Sequence, residues 1–379
     1  MTFELTEEQK AVRDAARDFA QTELWEGIIE RDDNQIFPEK QVKKMGELGF
    51  MGMMVDPKYG GGGMDTISYV LAMEEISKVD ASASVCMSVN NSLVLWGLEK
   101  YGNEEQKKKY IPDLATGKKI GAFALSEPEA GSDATSQKTT AEDKGDYYLL
   151  NGVKNWITNG STASVYLVIA QTNPELGHKG INVLIVEKGM PGFTVGKKEN
   201  KMGIRSSDTH SLLFQDVKVP KENRIGENGF GFRFAMETLN GGRIGIAAQA
   251  LGIASGAYEL SIKYAKERRT FGKEIAQHQG IQFKLAEMHA NIEAARLLCL
   301  QAAHLKDTGQ PYAVASATAK LFASKVAMET TTEAVQIHGG YGFVKEYHVE
   351  RMMRDAKITQ IYEGTSEIQK LVIAREILK

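Results

Sequence analysis

Apolar positions along the chain change period twice and divide it into three textures. Up to about residue 118 they recur at spacings of three and four, as on one face of a helix. In "TEEQKAVRDAARDFAQTEL", Val12, Ala15, Ala16 and Phe19 share such a face, and Thr6 stands where a cap would accept free N–H groups. "NEEQKKKYIPDLATG" repeats the plan with Asn103 as the cap. Between Val79 and Leu98, "VDASASVCMSVNNSLVLWGL" has neither lysine nor arginine, which predicts a helix buried on all sides.

From about Ile120 the period drops to two. "SVYLVIAQT", "INVLIVEKG" and "HSLLFQDVKVP" are short, β-branched and bounded by turn residues. Asn151-Gly152, between two β-prone runs, predicts a hairpin. Five or six such strands suggest a small antiparallel barrel or sandwich. Helix returns near Gly231 and persists. Ile281, Leu285, Met288, Ile292, Ala295 and Leu298 mark one long helix; the next opens on Pro311 and stops at Gly339-Gly340. Ser366 and Gln369 have capping-box spacing ahead of a closing helix marked by Ile368, Leu371, Val372 and Leu378. The expected fold is α+β and multidomain: helices over residues 1–118, a β-barrel over 119–230 and a helical bundle over 231–379.

Composition narrows the partners. The chain has 379 residues, net charge −3 and pI near 6.2, so it offers no basic field for nucleic acid or an anionic membrane. No run approaches the roughly 20 apolar residues of a membrane span. The N-terminus has no apolar core of a signal peptide, and Cys86 and Cys299 stand alone, so a reducing cytoplasm is the expected location.

Familiar catalytic signatures are missing. "YGGGGMD" has no following Lys-Ser/Thr and no preceding strand, which makes it a loop between helices. There is no G-x-G-x-x-G nucleotide turn, no H-E-x-x-H metal pair and no G-x-S-x-G elbow, and His338 beside two glycines reads as a helix-end or packing residue. Other candidates are ambiguous one by one. "FALSEPEAGSDATS" is a polar turn or, with Ser126, Ser132 and Thr135 near Gly131, a set of small donors. Trp156 in "NWITNG" fits a strand core, and Arg268, Arg269 and Thr270 fit a charged helix end. Glu363, between Tyr362 and Gly364, is a loop acid or a base.

Their order decides. "FALSEPEAGSDA", "NWITNG", "KMGIRSSDTHSLLFQDVKVP", "LNGGRIGIAAQALGIA", "ERRTFGK", "AVQIHGGYGF" and "MRDAKITQIYEGTSEIQ" together resemble the acyl-CoA dehydrogenase family from Glu4 to the C-terminus. The resemblance implies an N-terminal helical domain, a middle antiparallel β-barrel and a C-terminal four-helix bundle. It implies bound FAD, α,β-dehydrogenation of an acyl-CoA thioester, and transfer of the electrons to an electron-transferring flavoprotein. By the same likeness Phe123, Leu125, Ser126 and Ser132 would line the flavin, with Ser132 also touching the CoA moiety. Trp156, Ile157 and Thr158 would pack on the ring near N5. Arg268, Thr270, Phe271 and Gln279, with Gln336, Ile337, His338, Gly339 and Gly340, would reach the FAD of a neighbouring subunit. Thr365 and Glu367 would also bind cofactor. The site would then need at least a dimer, and the family norm is a homotetramer, a dimer of dimers.

Glu363 matches the family's α-proton base, with the β-hydrogen leaving as hydride to flavin N5 and the backbone N–H of the base serving as an oxyanion donor. The acid that some relatives carry elsewhere matches Gly242, which cannot act. Arg243 would lie toward the CoA end, Tyr362 would wall the acyl pocket, and Gly364 would let the backbone approach substrate. Competing influences act on Glu363: a helix N-terminus favours the anion, while an apolar, substrate-filled pocket raises the pKa, and desolvation is expected to win once substrate binds. The cation-free Val79–Leu98 segment matches the tail-lining element, so the acyl tail is expected to be short and uncharged, straight or 2-methyl-branched. An acyl-CoA oxidase and a non-catalytic flavin-binding member stay open as rival readings.

Overall fold

A computed structural model describes residues 4–379. Helix α1 (Glu7–Phe19) starts at Thr6 with a complete capping box: Gln9 N–H donates to the Thr6 hydroxyl and Thr6 N–H to the Gln9 side chain. Its buried face holds Val12, Ala16 and Phe19. Ala15, about 100° round the helix from Ala16, is exposed, so the apolar stripe is narrower than expected.

Helices α2 (Ile28–Asn34), α3 (Glu39–Glu47), α4 (Thr66–Ser77), α5 (Ala81–Ser88), α6 (Trp96–Tyr101) and α7 (Glu104–Ala115) complete the first region, and Asn103 forms the second capping box. The Gly60–Gly63 run is a loop ahead of α4. The Val79–Leu98 segment is buried as expected but is no single regular helix: π-helical Val89–Leu95 joins α5 to α6. The wider turn serves two amides. Asn90 Nδ2 donates to the carbonyls of Met51 and Leu114, and Asn91 Nδ2 to that of Phe50, pinning neighbouring loops.

The middle region is a curled sheet of β1 (Gly121–Ala124), β2 (Thr140–Asp143), β3 (Tyr147–Thr158), β4 (Val165–Gln171), β5 (Ile181–Glu187), β6 (Phe193–Lys198) and β7 (Thr209–Pro220). It departs from the expected antiparallel barrel and its hairpin in two ways. The sheet is mixed, since β1 and β2 each pair parallel with β4, while β2–β3, β3–β7, β4–β5 and β6–β7 are antiparallel. Asn151-Gly152 is a bulge inside β3, where the pairing with β7 slips between Leu150 and Gly152. Gly152 has φ 143° and lies against Thr139, so the dipeptide bends one strand instead of joining two.

In the C-terminal region the long helices α8 (Gly231–Glu267), α9 (Gln279–Asp307) and α10 (Ala313–His338) pack together, with strands β8 (Arg269–Thr270) and β9 (Lys273–Glu274) between α8 and α9. Of the α9 positions expected inside, Met288, Ile292 and Ala295 are buried; Ile281, Leu285 and Leu298 are half-buried. Helices α11 (Val349–Ile358) and α12 (Ser366–Ile377) close the bundle. The α12 cap is Thr365, whose hydroxyl accepts from Ile368 N–H, and not Ser366. Gln369 is drawn off instead to the carbonyls of Glu363 and Gly364. Leu371 and Leu378 are exposed, so the outer face of α12 finds no cover among the described residues. The three regions are tied at α11: Arg354 pairs with Asp32, and Asp355 accepts from Ile204 N–H.

Candidate active site

Glu363 sits in the turn between α11 and α12 with φ 51°, followed by Gly364 at φ 93°. Two consecutive left-handed residues swing the side chain inward, away from the helix it precedes. Part of the residue is accessible, yet Oε2 is buried and has no hydrogen-bond partner. It faces Gly242 of α8, and Leu93 from the π-helical segment lies on the same glycine. Gly364 is needed on packing grounds too, because a Cβ there would stand 2.7 Å from Gln369 Nε2.

Burial pushes the Glu363 carboxyl up to about 7, against the opposing charges of Lys320 and Arg243. Desolvation therefore dominates before any substrate is present. Lys320 of α10 is buried, and its ammonium donates to the Gly364 carbonyl. Arg243, one residue past Gly242, donates Nη1 to Asn240 Oδ1 at 2.8 Å while its Nε has no partner. Tyr362 bonds through its hydroxyl to Gln249, whose amide donates to Ala81 O at 2.8 Å and Ser84 Oγ at 3.1 Å. One turn past Gly242, the Tyr69 hydroxyl donates to Ser88 Oγ at 3.2 Å and both close on Gly245.

A second group forms on the sheet. Asn155 N–H donates to the Ser126 carbonyl at 2.9 Å, which lays the Leu125–Ser126 turn beside Trp156, Ile157 and Thr158. Trp156 is 55% exposed at φ 58°. It is no core residue; its ring is presented outward, while Ile157 is buried and Thr158 half-buried. Phe123 is half-buried and Ser132 exposed. Beneath the turn, Lys154 Nζ donates to Leu125 O at 3.0 Å and to Glu127 at 2.7 Å, all inside the protein. Leu93 and Val94 bridge the two groups, Leu93 at Gly242 and Val94 at Gly121 of β1.

The remaining positions gather elsewhere. Phe271 is 96% exposed at φ 50°, and Gln279, Gln336, Gly339 and Gly340 are exposed near Thr270 and Arg268, whose guanidinium lies over Tyr341. Ile337 is buried; His338 ends α10, stacked on Tyr264, as a packing residue should be. Thr365 and Glu367 line a cleft of about 610 Å³ with Phe322, Lys325 and Lys357; it lies apart from the Glu363 carboxylate. A bare indole, a bare phenyl ring and an exposed glycine pair on one chain suit a flat aromatic cofactor better than water.

Sequence reasoning passed over Lys320, Gln249, Lys154 and Glu127, and gave Gln369 a role in the helix cap alone. For Lys320 a signal existed, a single cation inside the small-residue run "ASATAKLFAS".

The fold and this buried carboxylate define a class. The chain belongs to the acyl-CoA dehydrogenase family: its N-terminal domain model matches residues 6–118, its middle domain 122–217 and its C-terminal domain 229–378. It is an oxidoreductase of that family. The chain is 51% identical to the short-chain specific acyl-CoA dehydrogenase of Clostridium acetobutylicum, with all of both chains covered. It superposes on butyryl-CoA dehydrogenase from Megasphaera elsdenii with TM-score 0.98 and 49% identity, both chains fully covered. A chain from structural work on the electron transferring flavoprotein of Acidaminococcus fermentans and flavin-based electron bifurcation matches with TM-score 0.99 and 52% identity, again over both full lengths. Among the described residues no helix is long and apolar enough to cross a membrane.

Proposed function

We propose that the chain is an FAD-dependent dehydrogenase that converts short, uncharged acyl-CoA thioesters to trans-2-enoyl-CoA, with Glu363 as the α-proton base. The observation that carries this is the unpartnered Glu363 Oε2, buried against Gly242 and held near neutrality. An acid so placed is ionised in a useful fraction at neutral pH and lies in a dry site where proton removal is not competed away by water. The Glu363 N–H donates to no group among the described residues, which leaves it free for the thioester oxygen as that oxygen gains enolate character. Bound FAD would supply the acceptor for the β-hydrogen and its electron pair. Phe123, Leu125, Ser126, Ser132, Trp156, Ile157 and Thr158 would hold it on this chain.

Arg268, Thr270, Phe271, Gln279 and the Gln336–Gly340 turn, with Thr365 and Glu367, would serve cofactor in an assembly of at least two chains, completed as a homotetramer. The exposed Phe271, Leu371 and Leu378 support such covering. The short tail is supported by Tyr69 and Ser88, whose hydroxyls close on Gly245 one helical turn past Gly242, and by the names of the relatives. An electron-transferring flavoprotein as electron acceptor rests on the likeness to the Acidaminococcus chain. The test is anaerobic bleaching of the flavin by straight and 2-methyl-branched acyl-CoAs of rising length. Rapid bleaching by butyryl-CoA that fades with longer chains is expected; no bleaching by any member of the panel would end the proposal.

A further inference from the structure

The turn that carries Glu363 is held from behind. Its left-handed pair leaves two carbonyls, of Glu363 and Gly364, turned away from the carboxylate. Gln369 Nε2 reaches both, at 3.3 and 2.9 Å, and the Lys320 ammonium reaches the second from the neighbouring helix α10. Gln369 and Lys320 are each fully buried. A left-handed conformation is costly for a residue with a Cβ and persists only where its surroundings fix it. Gln369 belongs to α12 and moves with the turn. Lys320 belongs to the bundle, so it is the anchor that ties the turn to the scaffold.

A buried ammonium is expensive and is kept only with compensation. Lys320 has one hydrogen-bond acceptor among the described residues, the Gly364 carbonyl. Its remaining compensation is charge: Glu363, and more weakly Glu367, favour the ammonium, while Arg243 opposes it. Around the Glu363 carboxylate, α10 contributes Lys320, α8 contributes Arg243, α4 contributes the neutral Tyr69, and the turn itself contributes the neutral Tyr362. Lys320 acts on Glu363 more strongly than Arg243 does.

We propose that Lys320 is a positioning residue for the Glu363 base. Its ammonium fastens the Gly364 carbonyl, holds the left-handed turn, and puts a positive charge within Coulombic reach of the carboxylate without forming an ion pair with it. A hydrogen-bond clamp alone could be built from a neutral donor. A cation also keeps the base ionised in a site whose burial works against ionisation. Lys320 touches neither substrate nor cofactor in this account, which rests on the reading of Glu363 as the base.

The experiment follows α-hydrogen exchange of a short acyl-CoA in D2O, by mass, as a function of pH in the holoenzyme, together with the affinity of apoprotein for FAD. The wild-type exchange midpoint is expected near 7. Lys320→Met should move it up by about one pH unit, as loss of a nearby opposite charge does. Lys320→Arg should bring it back, while FAD affinity stays within about twofold in both, since a fold-change that small is only about 0.4 kcal/mol. Lys320→Gln, neutral but still a donor, should shift the midpoint as Met does, and it serves alone if the methionine variant does not fold. A slower exchange with an unmoved midpoint in the neutral variants would reduce Lys320 to a structural residue and overturn the proposal. Glu363→Gln separates the two failures: if that variant still exchanges, the base itself has been misassigned.

Discussion

Gly242 of α8 faces Glu363 with no room for a side chain between them. A Cβ at 242 would overlap Glu363 Oε2 and stand 2.7 Å from Leu93 Cδ2. The glycine is costly to its own helix, where alanine would be better by about 1 kcal/mol. It is explained by the carboxylate it admits. The carboxylate and the helix surface opposite it form one fitted contact, made by residues 121 positions apart in sequence.

Gly242→Ala should therefore trade activity for local helix stability. The new methyl group must push the carboxylate out of place, and a displacement of about 1 Å can cost roughly 100-fold in rate. Flavin reduction by a short acyl-CoA should fall by 10- to 100-fold, with the urea midpoint unchanged or slightly higher. Stopped-flow reduction and urea unfolding measure the two sides; retained activity would show that the fit is slack.

Glu363→Gln should abolish turnover while stabilising the fold at alkaline pH. Without the base the rate should drop by about 10³-fold or more. The stability effect follows from linkage. Burial raises the carboxyl from 4.5 to about 7, so the folded chain binds a proton that the unfolded chain has lost. This contribution favours folding below about 4.5 and disappears as pH rises through 7. The glutamine pays no such cost. The variant should melt higher than wild type at pH 8, by the equivalent of a few kcal/mol at most, and the gap should close toward pH 4. Thermal melts of the apoproteins across that range decide it; a pH-independent difference would show that the carboxylate is not buried.

Trp156→Ala should spare the fold and lose the cofactor. A tryptophan inside a strand pattern suggests a core residue, but this one is mostly exposed and in a left-handed conformation. Removing an exposed ring should change unfolding free energy by less than about 1 kcal/mol. Losing a stacking partner for a flat ring system should weaken binding by about tenfold. Fluorescence titration of apoprotein with FAD, beside urea unfolding, distinguishes this from a core substitution, which would show the reverse pattern.

Much of the fold was legible because its elements are locally consistent. Thr6 and Asn103 cap where their spacing says, and the lysine-free segment is buried. The misreadings arose where distant parts override local chemistry. Asn151-Gly152 has the composition of a hairpin turn, yet β7 continues past it and pairs on both sides, so the glycine serves a bulge. Ser366 and Gln369 have the capping-box spacing, but Gln369 is claimed by the Glu363 turn and the cap moves to Thr365. In the site, Glu363 was recognisable only through the ordered motifs around it. Lys320 escaped because a lone lysine in an alanine-rich helix looks the same whether it faces water or a carbonyl 44 residues later.

Leu371→Glu should break the proposed assembly of chains while leaving the single chain folded. Leu371 is 58% exposed on α12, and Leu378 just past its end is more exposed still, on a face left uncovered among the described residues. A carboxylate there costs nothing in the monomer but is stranded in an apolar contact between chains. Analytical ultracentrifugation should show a smaller species with unchanged circular dichroism. An unaltered oligomer would place the interface elsewhere.

Lys154→Met should be the most destabilising of these changes, although the residue is far from the carboxylate. The Lys154 ammonium has no solvent exposure and bonds Leu125 O, Glu127 and Gln137. Burial pulls it down to about 8 even with Glu127 acting against the shift, and Glu127 helps to keep it charged near neutrality. Glu127 in turn accepts the N–H groups of Lys138 and Thr139, so the pair fixes both ends of the loop that carries Leu125, Ser126 and Ser132. Removing the cation strands a buried carboxylate at a cost of about 3–5 kcal/mol. Adding Glu127→Gln should recover a large part of that loss, because the uncompensated charge goes with it, and the coupling between the two sites should exceed 1 kcal/mol or so. The same double variant should still bind FAD poorly, since the Leu125 carbonyl and the two loop amides have lost the charged groups that set the turn against Trp156. Urea unfolding of the four proteins in the cycle gives the coupling, and FAD titration gives the second readout. Additive losses would mean that the ion pair does not act as one unit.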